Sequence, residues 1–231
     1  MNPDLRHATY EEIVDFVFNH YPEDEVDDKW YWNELDDDIQ IEPVQAISFI
    51  TRLCNACGEL VEQFTLRQIA EGVTFLFGAR AQFEFQQQLW NPDVSWPDRL
   101  ACIRSIPNLY TQVFERDPDG IGGCAFMLWD SIAYDYCCGN RHPATNAEDA
   151  RVQDAMFDAL VSMFRSEHPE TLRGAIHGLG HLEHRDGIVR FASCCRRRAN
   201  STLQCGPMLR KYSKATSNRV LASPSALRPA A

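Results

Sequence analysis

No acidic residue follows Asp186, although this chain of 231 residues holds 33 of them. The 22 Lys and Arg are divided differently: thirteen lie before Arg190 and nine from Arg190 onward. Residues 1–189 therefore carry a net −20 and the remainder +9. A body this acidic repels nucleic acid and anionic lipid, and it suits a basic protein partner or simple solubility. The expectation is one acidic helical domain over residues 1–195, followed over 196–231 by a basic end that binds no nucleic acid through the body.

Other absences narrow the field. Apolar runs are short and interrupted by charge, so no membrane span is expected. Met1 to Tyr10 carries Asp4, Arg6 and His7 with no apolar stretch behind them, which implies cytoplasmic residence. The nine cysteines are odd in number and lack an export signal, so reduced thiols serving as small core hydrophobes are expected rather than a disulfide framework. G-x-S-x-G, P-loop and dinucleotide fingerprints are all missing. With no complete catalytic set, an enzyme is disfavoured and no cofactor is expected on the main reading.

What is present reads as helix. Thr9-Tyr-Glu-Glu12 and Thr65-Leu-Arg-Gln68 are capping boxes, each followed by apolar residues at helical spacing. Pro43 and Pro169 stand where a helix accepts its first residue. A helix from Pro97 to about Glu115 should kink or split at Pro107, which lacks a backbone donor. Asp117-Pro-Asp-Gly120 has turn chemistry, and Gly123 to Cys138 is apolar nearly all round, predicting one buried central helix. Glu148 to Ser166 is amphipathic, and a helix from Pro169 is expected to run to about Glu183. Strand pairs and βαβ units are not evident, so the fold class is all-α: an irregular helical bundle or α-α superhelix.

Thr171 to Val189, with its Ala175-Ile-His-Gly-Leu-Gly spacing and a corner at Asp186-Gly187, resembles a HEAT-like helical hairpin. More broadly, residues of about 10–190 resemble a family of uncharacterised bacterial helical proteins. The similar features are the acidic Pro22-Glu-Asp-Glu25 and Trp30-Tyr-Trp32 stretch, Ile50-Thr-Arg-Leu53, Glu71 to Phe77, Trp96-Pro-Asp-Arg99 and Ala175 to His181. That family has no established activity, so the resemblance implies a fold and a cytoplasmic location only. Residues after about Cys195 depart from it. From Arg196-Arg-Arg198 onward the chain is rich in Arg, Ser, Ala and Pro, which reads either as a basic disordered tail or as an out-of-frame ending.

Two groups of residues carry the functional expectations. Trp30, Tyr31 and Trp32 stand beside Asp36, Asp37 and Asp38, and aromatics amid acids suit a basic partner or anchor a loop to the core. The leading expectation is thus a non-enzymatic protein-binding or regulatory protein of the adaptor or immunity type. The alternative is a metal-binding protein or metal-dependent enzyme using His177, His181 and His184, with zinc as the cofactor. At ~100° per residue, His181 lies ~40° and His184 ~−20° from His177, so all three share one face of an ideal helix. Histidines at i and i+4 can chelate zinc, with His184 or Glu183 as a further ligand. A structural role, with the histidines hydrogen-bonded to earlier helices, competes with it. H-E-x-x-H chemistry is disfavoured, because Gly178 stands where the glutamate would be. Cys54-Asn-Ala-Cys57 falls at a helix C-terminal end, where the dipole disfavours a thiolate, and is expected to be core packing.

Overall fold

The computed structural model describes residues 4–20, 31, 39–78, 85–116, 118–187 and 189–190. Its regular elements there are helical, and the β content is a lone parallel bridge between Asp4 and Gln40. The fold is all-α. In chain order the helices are α1 (Tyr10–Phe18), α2 (Pro43–Ala56), α3 (Leu60–Gln63), α4 (Leu66–Phe77), α5 (Phe85–Gln88), α6 (Trp96–Ser105), α7 (Pro107–Gln112), α8 (Pro118–Met127), α9 (Asp130–Cys137), α10 (Ala147–Met163) and α11 (Pro169–Leu182). No helix among the described residues is long and apolar enough to cross a membrane.

Helix starts follow local chemistry. The Thr9 and Thr65 side chains accept from the backbone N–H of Glu12 and Gln68, whose own side chains return to the caps, so both capping boxes form. Asn146 accepts from the N–H groups of Glu148 and Asp149 and opens α10. Pro107 ends the continuity of α6 and starts α7, as its missing donor requires.

Two expectations are corrected here. Asp117-Pro-Asp-Gly120 does not remain a turn, because Pro118 opens α8. The expected central helix over Gly123 to Cys138 breaks at Leu128-Trp129 into α8 and α9. Both break residues are buried, Trp129 completely, while Met127 and Tyr134 are half exposed. Seating the Trp129 indole in the core prevails over helix continuity.

The chain divides into two units, Met1–Arg185 and Asp186–Ala231. In the first, α1 packs on α4, α2 on α6, α4 on α8, α6 on α10, and α11 touches α8, α9 and α10. The core runs as one cluster from Leu5 to Leu182. Gly72, Gly174 and Gly178 mark its close approaches. A Cβ at Gly174 would lie 2.5 Å from Tyr110 Cε1, and one at Gly178 would lie 2.8 Å from Trp129 Cγ. In the second unit the Arg190 N–H donates to the Asp186 carbonyl at 3.0 Å, one helical turn. The expected boundary after Cys195, the basic end and most of the hairpin's second arm lie outside the described residues.

Candidate metal centre

The packing of α11 between α8, α9 and α10 sets the site. Gly174 and Gly178 give α11 a face without side chains, into which Tyr110 and Trp129 fit. Trp129 is followed directly by Asp130, the first residue of α9, where the helix dipole favours a carboxylate. Seating Trp129 against Gly178 therefore brings the Asp130 carboxylate to the neighbouring face of α11, the one that carries His177 and His181.

The three side chains converge on their donor atoms. Asp130 Oδ1 lies 2.6 Å from His177 Nε2 and 3.3 Å from His181 Nε2. The two Nε2 atoms are 3.3 Å apart, with the rings nearly perpendicular at 88°. Asp130 Oδ1 is buried, and despite these short approaches it has no hydrogen bond of proper geometry. An acceptor oxygen this close to two ring nitrogens, without an aligned hydrogen bond, is compatible with three ligand atoms sharing one ion. Tetrahedral zinc with bonds of about 2.0–2.1 Å sets its ligand atoms roughly 3.3 Å apart. Two of the three edges match that value, and an ion would open the third by about 0.7 Å.

Among the described residues, Asp130, His177 and His181 form the group able to hold a metal ion. Two imidazoles and one carboxylate suit zinc, ferrous iron or another first-row divalent ion, and three ligands leave coordination positions for water or substrate. Each of the three side chains is between a fifth and a quarter exposed, so the site opens to the surface. Phe126 stacks on His177 with centroids 3.9 Å apart, and Tyr134 lies tilted beside His181 at 5.4 Å. Both rings limit how the imidazoles can turn. A second contact orients His181 from its other nitrogen, because Nδ1 lies 3.3 Å from Cys137 Sγ.

His184 is not brought into this group. The helical arithmetic that placed it with the other two assumes a helix through residue 184, but α11 ends at Leu182. Glu183 adopts the left-handed conformation at φ 50°, ψ 31°, which turns the chain toward α10. There His184 is buried, its Nε2 is 2.9 Å from Asp154 Oδ1, and its ring stacks on Phe157 at 3.9 Å. The Leu182 carbonyl is taken up by Gln153 Nε2 at 2.8 Å. Glu183 itself is exposed in this turn, outside the ligand group.

Asp130 was not among the residues singled out from sequence. It lies 47 positions before His177, and no motif links the two. The signal that could have found it is that Asp130 and Asp135 are the two charges inside the apolar stretch from Gly123 to Cys138.

The other expected residues are placed as follows. Tyr31 is buried against Phe75 with ring centroids 5.4 Å apart, and burial pushes its phenol up to about 12. Its ring is thus part of the core. Trp30, Trp32, Asp36, Asp37 and Asp38 lie outside the described residues. Cys54 and Cys57 are buried, and desolvation raises both thiols, Cys57 to about 12. Neither is an activated nucleophile.

No protein-family model, curated protein or solved structure matches this chain.

Proposed function

We propose that this protein binds a divalent transition metal ion, with zinc as the reference ion, through Asp130, His177 and His181. The observation that carries the reading is the convergence of Asp130 Oδ1 and two Nε2 atoms, all within 3.3 Å of one another, on a buried oxygen that has no proper hydrogen bond. An ion held by three protein ligands keeps an open position, the arrangement in which a metal polarises a bound water or a substrate oxygen. In this reading α11, the first arm of the expected HEAT-like hairpin, carries both histidines.

The competing arrangement needs no ion: a proton on His177 Nε2 is shared between Asp130 Oδ1 and His181 Nε2. Metal analysis of the full chain purified without chelators, followed by zinc titration of stripped protein, separates the two. Stoichiometric zinc binding that is lost in Asp130→Asn and in His177→Ala supports the metal centre. A stripped wild-type protein that takes up no zinc in the titration refutes it.

A second reading is capture of a basic protein partner by the acidic body. It is favoured by a shallow hollow of about 570 Å³ on α1, lined by Glu11, Glu12, Asp15, Phe16, Asn19 and His20. Salt-sensitive binding to a basic peptide, weakened by Asp15→Lys, would support it. Binding insensitive to salt and to that substitution would sink it.

A further inference from the structure

The two ring nitrogens of His181 face different chemistry. Nε2 points into the donor set, 3.3 Å from Asp130 Oδ1 and 3.3 Å from His177 Nε2. Nδ1 points away from it, to Cys137 Sγ at 3.3 Å. Cys137 is the last residue of α9 and Tyr134 stands one turn before it. The Cys137 thiol is placed to donate its proton to the Tyr134 backbone carbonyl at 3.1 Å.

A thiol has one S–H donor and a sulfur that accepts. With its proton directed to the Tyr134 carbonyl, the sulfur faces His181 as an acceptor, and the matching partner is an N–H on Nδ1. A neutral imidazole protonated at Nδ1 has its lone pair on Nε2. The chain of contacts from the Tyr134 carbonyl through Cys137 to His181 therefore selects the tautomer whose free lone pair faces Asp130 and His177. Ligating histidines ordinarily gain their orientation and basicity from such an outer partner, usually a carboxylate or a carbonyl.

We propose that Cys137 is the positioning residue of the metal centre, holding His181 in the Nδ1–H tautomer so that Nε2 is the ligand. The inference rests on the metal reading for its purpose, but the tautomer is readable without any ion. The coupling runs both ways. A metal on Nε2 makes the Nδ1–H a stronger donor, so ion binding and the bond to the Cys137 sulfur strengthen each other. Cys138, the next residue, is exposed and belongs to neither contact.

The test uses the full chain labelled with nitrogen-15 histidine, stripped of metal and held at a pH above the ordinary imidazole range. Two-bond proton–nitrogen correlation spectra report the His181 tautomer, and competition against a chromophoric chelator reports zinc affinity. Wild type and Cys138→Ala are expected to show the Nδ1–H form. In Cys137→Ala that form gives way to Nε2–H or a mixture, and zinc affinity falls by ~10–100-fold. Cys137→Ser restores much of both, because a hydroxyl also accepts and donates. An Nε2–H tautomer in wild type overturns the proposal. So does a Cys137→Ala variant that keeps its tautomer and its zinc affinity to within about twofold, far below the loss expected of an outer partner. A Cys137-dependent Nδ1–H tautomer in a wild-type protein that takes no zinc supports the tautomer assignment and overturns the metal reading.

Discussion

Replacing Gly178 with alanine adds one methyl group where α11 lies against Trp129 and Leu160. The new Cβ would sit 2.7 Å from Leu160 Cδ2 and 2.8 Å from both Cβ and Cγ of Trp129. Comfortable carbon contacts are about 3.5–4.0 Å, so the helices must part by something near 1 Å or Trp129 must move. Leu160 Cδ2 is the far end of a side chain and can yield. Trp129 cannot, because it is completely buried and its Cβ is tied to the backbone. Overpacking of this kind costs about 1–3 kcal/mol, and a rigid neighbour places it in the upper half. Alanine returns about 1 kcal/mol through its better helix propensity. The net expectation is a loss of about 1–2 kcal/mol, read in urea as a midpoint lowered by roughly 0.5–1 M with an unchanged slope. Because Asp130 follows Trp129 directly, zinc affinity should fall in the same variant. Gly123→Ala is the matched control: its Cβ meets nothing within 4 Å, so propensity alone should raise stability by about 0.5–1 kcal/mol. A Gly178→Ala protein as stable as its parent, with the control behaving as stated, would refute the idea that this contact sets the position of Trp129.

His184→Ala removes a buried ring stacked on Phe157 and partnered with Asp154. It should cost about 2–3 kcal/mol in a denaturant titration while leaving zinc affinity unchanged, and a zinc loss equal to that of His177→Ala would return His184 to the ligand set. Burial holds the thiols of Cys57, Cys102 and Cys124 at about 12 against an ordinary 9.0. Above pH 9 the unfolded chain therefore releases protons that the folded chain retains. Stability should be at its full value below pH 9 and decline as pH rises toward 12, shown by a urea midpoint that falls from about pH 9 upward. A flat midpoint across that range would contradict the burial of these thiols.

Much of the helical framework is legible in the sequence because its determinants are local. The capping boxes at Thr9 and Thr65 need three residues of context, and proline at positions 43, 107 and 169 acts through its own ring. The end of α11 is less legible. No glycine stands at residue 183, and the left-handed Glu183 is held by contacts from α10, where Gln153 takes the last carbonyl and Phe157 receives His184. An ideal-helix projection through His184 runs two residues past the end of α11 at Leu182 and so places His184 with His177 and His181. The break at Trp129 is hidden for a similar reason, since an apolar run records that residues are buried but not which notch receives them. The pairing of Asp130 with His177 and His181 depends on the second of these tertiary facts, the seating of Trp129. Helical spacing alone could supply only the two histidines.

The proposed ligand set joins partners of very different separation along the chain. His177 and His181 are four residues apart and meet as soon as α11 coils, whereas Asp130 arrives only when α9 has docked across 47 intervening positions. The histidine pair is thus a low-contact-order element and the carboxylate a late one. An ion present during folding would find two ligands on a nascent helix first and gain the third when Trp129 seats. Full affinity would then report the completed packing of α9 on α11, and an ion added to the finished protein would stabilise that packing against local opening.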